Sequence, residues 1–135
     1  MKILLDTHML IWSMSEKGRT LPQHIQNMIN DPGNEKYCSV VSIWETAIKY
    51  GAHPEEIGIS ENELAALCDR VGIIRLPLIH EHALTVNSLV KDENGPRHKD
   101  PFDKMLIAQA KYENMIFLTH DEKLKYYHEP CVIVI

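Results

Sequence analysis

The sequence predicts an α/β protein: one domain with a central, mostly parallel sheet of about five strands and helices on both faces. Two observations carry this. Short, mostly apolar runs recur along the 135 residues, namely "KILL" (2–5), "YCSVV" (37–41), "IIRL" (73–76), "IFLT" (116–119) and "CVIVI" (131–135). Segments of helical character lie between them, and strands alternating with helices imply a parallel sheet covered on both sides. A third observation sets the domain count. No internal repeat, low-complexity tract or linker divides the chain, so residues 1–135 are expected to form a single domain.

Taken in order, the first strand (2–5) leads into a helix beginning at Thr7 in "THMLIWSM". A second helix, "PQHIQNMIN" (22–30), stops before the turn signal "DPGN". After the strand at 37–41, "SIWETAIKYG" (42–51) is expected to end at Gly51, a common helix stop. "SENELAALCDRVG" (60–72) opens with a Ser-x-x-Glu capping box from Ser60 to Glu63. "IHEHALTVNSLV" (79–90) reads as a helix. The polar loop "KDENGPRHK" (91–99), with Gly95-Pro96, is the segment expected to move most. Asp100-Pro101 then starts a helix through Asn114, the aspartate as cap and the proline at the first helical position. A last short turn begins near Asp121.

Bulk properties exclude several classes. A composition 44% hydrophobic and 24% charged is that of a water-soluble globular domain. No apolar run approaches the roughly 18 residues of a membrane span, and "MKILLDTH" has too short an apolar stretch for a secretory signal. Cys38, Cys68 and Cys131 share no metal-like spacing and are expected as reduced thiols of a cytoplasmic protein. A net charge of −5 argues against broad basic binding to nucleic acid, but not against an enzyme whose acids hold metal cations. No GxxxxGK[ST] loop is present, which removes the main support for an ATP-driven reaction.

One helix poses a problem that capping alone does not answer. At about 100° per residue, Leu106, Ile107 and Ala110 fall within about 60° of Asp103, so this carboxylate lies inside the apolar stripe, where an unpaired charge is costly. Three other acids belong at the same height. Asp6 follows the first strand, Glu45 lies early in the helix after the second, and Asp121 follows the fourth. From Asp103 the helix descends about 12 residues, roughly 18 Å, and the next strand climbs roughly 16 Å back. Connectivity therefore brings Asp6, Glu45, Asp103 and Asp121 to the carboxyl edge of the sheet, where such folds bind ligands. Each has a simpler reading: Asp6 and Asp121 as helix caps, Glu45 as the partner of Ser42 in a capping box. Together, four carboxylates repel one another unless cations intervene. Oxygen-only ligands point to Mg²⁺ or Mn²⁺, and such a site suits phosphodiester hydrolysis without a side-chain nucleophile.

The blocks "LLDTHMLIW" (4–12), "SVVSIWETAIKYG" (39–51), "HKDPFDKMLIAQA" (98–110) and "LTHD" (118–121), in that order, resemble the PIN-domain family, and within it the VapC-type toxins of toxin–antitoxin pairs. The resemblance spans nearly the whole chain. It implies a Mg²⁺- or Mn²⁺-dependent ribonuclease, commonly a homodimer, with Asp6, Glu45, Asp103 and Asp121 as the motif acids. Asp100 belongs to the DPFD variant, as a cap and outer acid. Thr119 is expected to hydrogen-bond Asp6 or a metal-bound water. His8 stands where many relatives have Asn, and Lys104 where many have Arg, so Lys104 keeps the charge without the planar fork.

The expectation is thus a cytoplasmic endoribonuclease with an RNA substrate and a small antitoxin partner whose tail enters the acidic pocket. His98 and His120 also fall near the edge, in solvated or supporting roles. Arg97, Lys99 and Lys104 are candidates for phosphate contacts. Trp12 and Trp44 are expected in core or dimer packing. The rivals are a catalytically silent PIN-like module that binds metal or a partner, a phospho-receiver, and an aspartate-nucleophile phosphatase. The phosphatase reading wants a second aspartate where His8 stands, and the receiver wants paired acids near its first strand.

Overall fold

The computed structural model describes residues 1–97 and 99–135; His98 lies outside the described residues. Five strands form one sheet: β1 (Lys2–Leu5), β2 (Glu35–Ser39), β3 (Ile74–Leu76), β4 (Ile116–Thr119) and β5 (Val132–Val134). Their order is β3-β2-β1-β4-β5, and every neighbouring pair is parallel, so "mostly parallel" becomes wholly parallel. The order reverses at β1. A cleft therefore opens between the carboxyl ends of β1 and β4.

Side chains of the central strands alternate between two cores. Ile3, Leu5 and Leu118 join Met9 and Leu10 of α1 (Thr7–Ser13), Ile25 and Ile29 of α2 (Gln23–Asn30), and Leu64 of α5 (Glu61–Arg70). Leu4 and Phe117 face the other way, onto Leu106, Ile107 and Ala110 of α7 (Pro101–Glu113). Each fully buried Leu, Ile, Met or Phe side chain among these contributes about 1.5–3 kcal/mol. Helices therefore cover both faces, as the apolar strands require.

The second strand lies two residues earlier than its apolar run implied. Ser39 ends β2 and caps α3 (Val40–Ala52), its hydroxyl accepting from the Val41 amide at 2.9 Å. The capping hydroxyl outweighs the β-preference of Val40 and Val41. Helix α3 also runs through Gly51, and its end at His53 precedes Pro54, which opens α4 (Pro54–Ile57). Two short elements carry no strong periodic signal and were not expected: α4 and the 3-10 turn Glu16–Thr20. The helix expected over 79–90 is α6 (His80–Thr85) followed by a 3-10 turn, Val86–Ser88. The early part of the polar loop is tied down. Lys91 bridges to Tyr127, its ammonium donates to the Pro96 carbonyl, and Gly95 sits where a Cβ would meet the Tyr126 ring at 2.8 Å.

A buried polar network fixes α3 against α7. The Gln109 carbonyl accepts from Ser39 Oγ, and its amide donates to the Pro77 carbonyl at 3.3 Å and faces His82 Nδ1 at 3.4 Å. His82 Nδ1 also accepts from the Ile79 amide, which leaves Nε2 to donate to Glu113 at 2.8 Å. Gln109 is fully buried, so removing its amide strands two polar partners. Gln109→Leu is expected to lower folding stability by about 2 kcal/mol, read as a lower urea midpoint at unchanged slope.

Candidate active site

Asp6 is almost completely buried at the end of β1, and its amide extends the β1–β4 ladder by donating to the Leu118 carbonyl. One carboxylate oxygen caps α1, accepting from the Met9 amide at 2.7 Å; the other accepts a short hydrogen bond from the Thr119 hydroxyl. The capping role expected for Asp6 is therefore real but uses only half of the carboxylate. Burial pushes its pKa up, while Thr119, the Met9 amide and the nearby His120 and His8 oppose that rise. Thr119 does more than expected, because the same hydroxyl oxygen accepts from the Asp121 amide at 3.1 Å.

Glu45 lies in the second turn of α3, since the helix starts at Val40. The expected Ser42–Glu45 capping box therefore does not exist. Ser42 is buried, its hydroxyl oxygen 3.0 Å from Thr7 Oγ1. The Thr7 hydroxyl donates its one proton to Glu45 Oε1 at 2.7 Å, and Lys49 reaches Glu45 Oε2 at 2.7 Å. Thr7, Ser42 and Lys49 were missed from the sequence. Thr7 and Ser42 lie beside recognised acids in the quoted blocks, and Lys49 stands one helical turn after Glu45, a spacing that alone marks it as a partner.

Asp103 lies in the first turn of α7, capped by Asp100, whose carboxylate accepts from the Phe102 and Asp103 amides at 2.9 and 3.3 Å. Its pKa is pushed up to about 7, first by burial, then by the charges of Asp100, Glu45, Asp121 and Asp6 in that order. Acids from four separate segments thus act on one carboxyl group. Asp121 caps the 3-10 turn Glu122–Tyr126, accepting from the Lys123 amide at 3.0 Å. Asp100, Asp103 and Asp121 share a depression of about 240 Å³ whose lining also includes Arg97, Lys99 and Lys123. The floor is acidic and the rim basic. Lys104, one residue beyond Asp103, does not line it.

The remaining candidates are more peripheral. His8 is exposed, 5.8 Å from the His120 ring. His120 stacks on Trp12 at 4.2 Å, and Trp12 packs on the core as expected. Trp44 lies outside the core, 58% exposed with its ring edge-on to Phe102 of α7, which leaves the dimer half of its expectation. Its helical spacing placed it on a face of α3 that the described residues cover only in part. A larger apolar groove of about 800 Å³, bordered by Trp44, Ile43, Leu76 and Leu78, contains none of the acids.

A model of the PIN domain matches residues 3–129. The chain belongs to the PIN-domain family. Nuclease activity with divalent metal ions is typical of PIN domains. No curated protein matches the chain by sequence. Solved structures of similar fold include the VapBC2 complex of Rickettsia felis bound to a DNA fragment from its promoter (12% identity, TM-score 0.67, covering 100% of this chain and 98% of that one). VapBC-1 of nontypeable Haemophilus influenzae is also similar (17%, 0.61, 91% and 89%), as is DNA-bound VapBC of Salmonella typhimurium (16%, 0.61, 100% and 97%). At these identities the likeness is one of fold.

The donor set fits the hard divalent ions typical of PIN domains, since it is built of carboxylate oxygens and their mutual repulsion is what a cation relieves. Among the described residues, no three His, Cys, Asp or Glu side chains already stand at ligating distance. Asp6, Glu45 and Asp121 instead hold protein donors. The repulsion has a measurable consequence without metal. Asp103 binds its proton more tightly folded than unfolded, so its ionisation penalises folding increasingly as pH rises from about 4 to about 7 and fully above that. In EDTA, Asp103→Asn is therefore expected to raise Tm by about 3 °C or more at pH 8 and by nearly nothing at pH 4, as read by thermal denaturation at both pH values.

Proposed function

We propose that this PIN domain is a Mg²⁺- or Mn²⁺-dependent endoribonuclease, the toxin of a toxin–antitoxin pair. The observation that carries the reading is the convergence of Asp6, Glu45, Asp103 and Asp121 on one edge of the sheet, felt as the raised pKa of Asp103. In this reading those four acids hold the metal, with Asp100 as an outer charge. When bound, the metal supplies water activation and offsets negative charge developing at phosphorus. Arg97, Lys99 and Lys123, on the rim of the acidic depression, position the RNA backbone. Thr119 aims Asp6 and anchors the Asp121 backbone, so one hydroxyl registers two ligands. Lys104 and His8 have no assigned step.

The antitoxin part of the reading is supported by the VapBC complexes of similar fold and by an acidic floor suited to an arginine-bearing peptide. The homodimer part is supported by Val40, Trp44 and Ile48, an exposed apolar stripe at four-residue spacing on α3. The competing reading, a silent PIN domain, draws on Glu45, whose two oxygens are both engaged by protein donors.

Purified protein freed of partner and incubated with a structured RNA pool in Mn²⁺ is expected to cleave it. EDTA should abolish cleavage, and Asp103→Asn should lower the rate at least ~100-fold. Equal cleavage by wild type and variant would remove Asp103 from the site. A folded protein that binds Mn²⁺ and cuts no RNA, cellular RNA included, would favour the silent module.

A further inference from the structure

Lys49 forms a salt bridge with Glu45, one of the four acids. It sits one turn beyond Glu45 on α3, with its ammonium 2.7 Å from Glu45 Oε2. The two ends of this pair differ. The Glu45 side chain is 6% exposed and its other oxygen is held by Thr7 in the protein interior, whereas the Lys49 side chain is 46% exposed on a flexible stem. Glu45 is fixed and Lys49 can leave. A carboxylate buried beside other acids is stabilised by a cation partner, and removing that partner leaves a charge that the protein interior solvates poorly. A lysine ammonium meets that need as a mobile point charge, with no fixed ligand geometry to undo.

We propose that Lys49 is a built-in counter-ion that holds Glu45 when the metal is absent and is displaced from it when a divalent cation binds. The proposal rests on the reading of the acidic edge as a metal site. It accounts for Glu45 being buried yet, among the described residues, forming no three-acid cluster able to hold a metal: its Oε2 is taken by Lys49. It also sets a threshold. Metal must outcompete an intramolecular ion pair, so the apparent affinity for the cation is lower than the four carboxylates alone would give.

The test is Mn²⁺ binding to the intact protein, measured by electron paramagnetic resonance of free Mn²⁺ and, separately, by the Mn²⁺-induced rise in Tm. The proteins are wild type, Lys49→Met and Lys49→Arg. Lys49→Met keeps the apolar stem and removes the charge. It is expected to bind Mn²⁺ roughly three- to tenfold more tightly than wild type, the scale of a part-exposed ion pair. Its metal-free Tm should fall while its Mn²⁺-induced gain in Tm grows; a purely structural lysine would lower both forms alike. Lys49→Arg, which keeps the charge and adds a planar fork, should bind Mn²⁺ no more tightly than wild type. Unchanged or weaker Mn²⁺ binding by Lys49→Met, with wild type binding normally, would overturn the counter-ion role alone. Absence of Mn²⁺ binding in all three proteins would overturn it together with the metal reading of the site.

Discussion

The hydrogen bond from Thr119 to Asp6 crosses from the end of β4 to the end of β1, and the candidate site is organised around it. A carboxylate at the middle of a buried sheet edge is tolerable only if its oxygens are occupied. The fold meets that demand with one backbone amide from α1 and one hydroxyl from the neighbouring strand. The amide comes from the helix that Asp6 itself caps; the hydroxyl is available because β1 and β4 are adjacent and parallel, which places the residues at the end of each strand at one level. The strand order that reverses at β1 opens the cleft, and the same adjacency lines it with acids.

Around this centre, the other acids are placed by helices. Helix α3 presents Glu45 and α7 presents Asp103, so the site depends on how these two helices meet. Gln109 settles that contact. It receives the hydroxyl that caps α3 while its own backbone belongs to α7. The "LIAQA" run, most of it apolar core, thus contains one polar residue whose task is to register one acid-bearing helix on the other. His82 closes the network between the Ile79 amide and Glu113.

The strands and the common height of the four acids were legible in the sequence because they rest on short-range signals: uniform apolar runs, an Asp-Pro helix start, and arithmetic on helix and strand rise. The start of α3 was not. Val40 and Val41 favour a strand by type, and only the capping hydroxyl of Ser39, itself held by a residue 70 positions away, decides for a helix. That two-residue error carried into the site, since it made Glu45 look like a first-turn cap. Thr7 and Ser42 were missed for a related reason. Their hydroxyls acquire meaning only when α1 and α3 pack together, 35 residues apart in the chain. Trp44 shows the opposite limit: periodicity identifies the apolar face of a helix but does not say whether another element covers it.

The sheet order also governs when the site can exist during synthesis. Strand β1 leaves the ribosome first, yet it is the central strand, and its second neighbour begins at Ile116. Thr119 and Asp6 are separated by 113 positions, so the contact that orients Asp6 closes only after the chain through Thr119 has been made. Until then β1 has one paired edge and one open edge, and the acids lie on separate, unassembled segments. A chain that has not reached Thr119 therefore carries Asp6, Glu45 and Asp103 on separate segments, with Asp121 still to be made. For a protein whose activity would fall on RNA, this order of assembly withholds the site until the segment through Asp121 is in place.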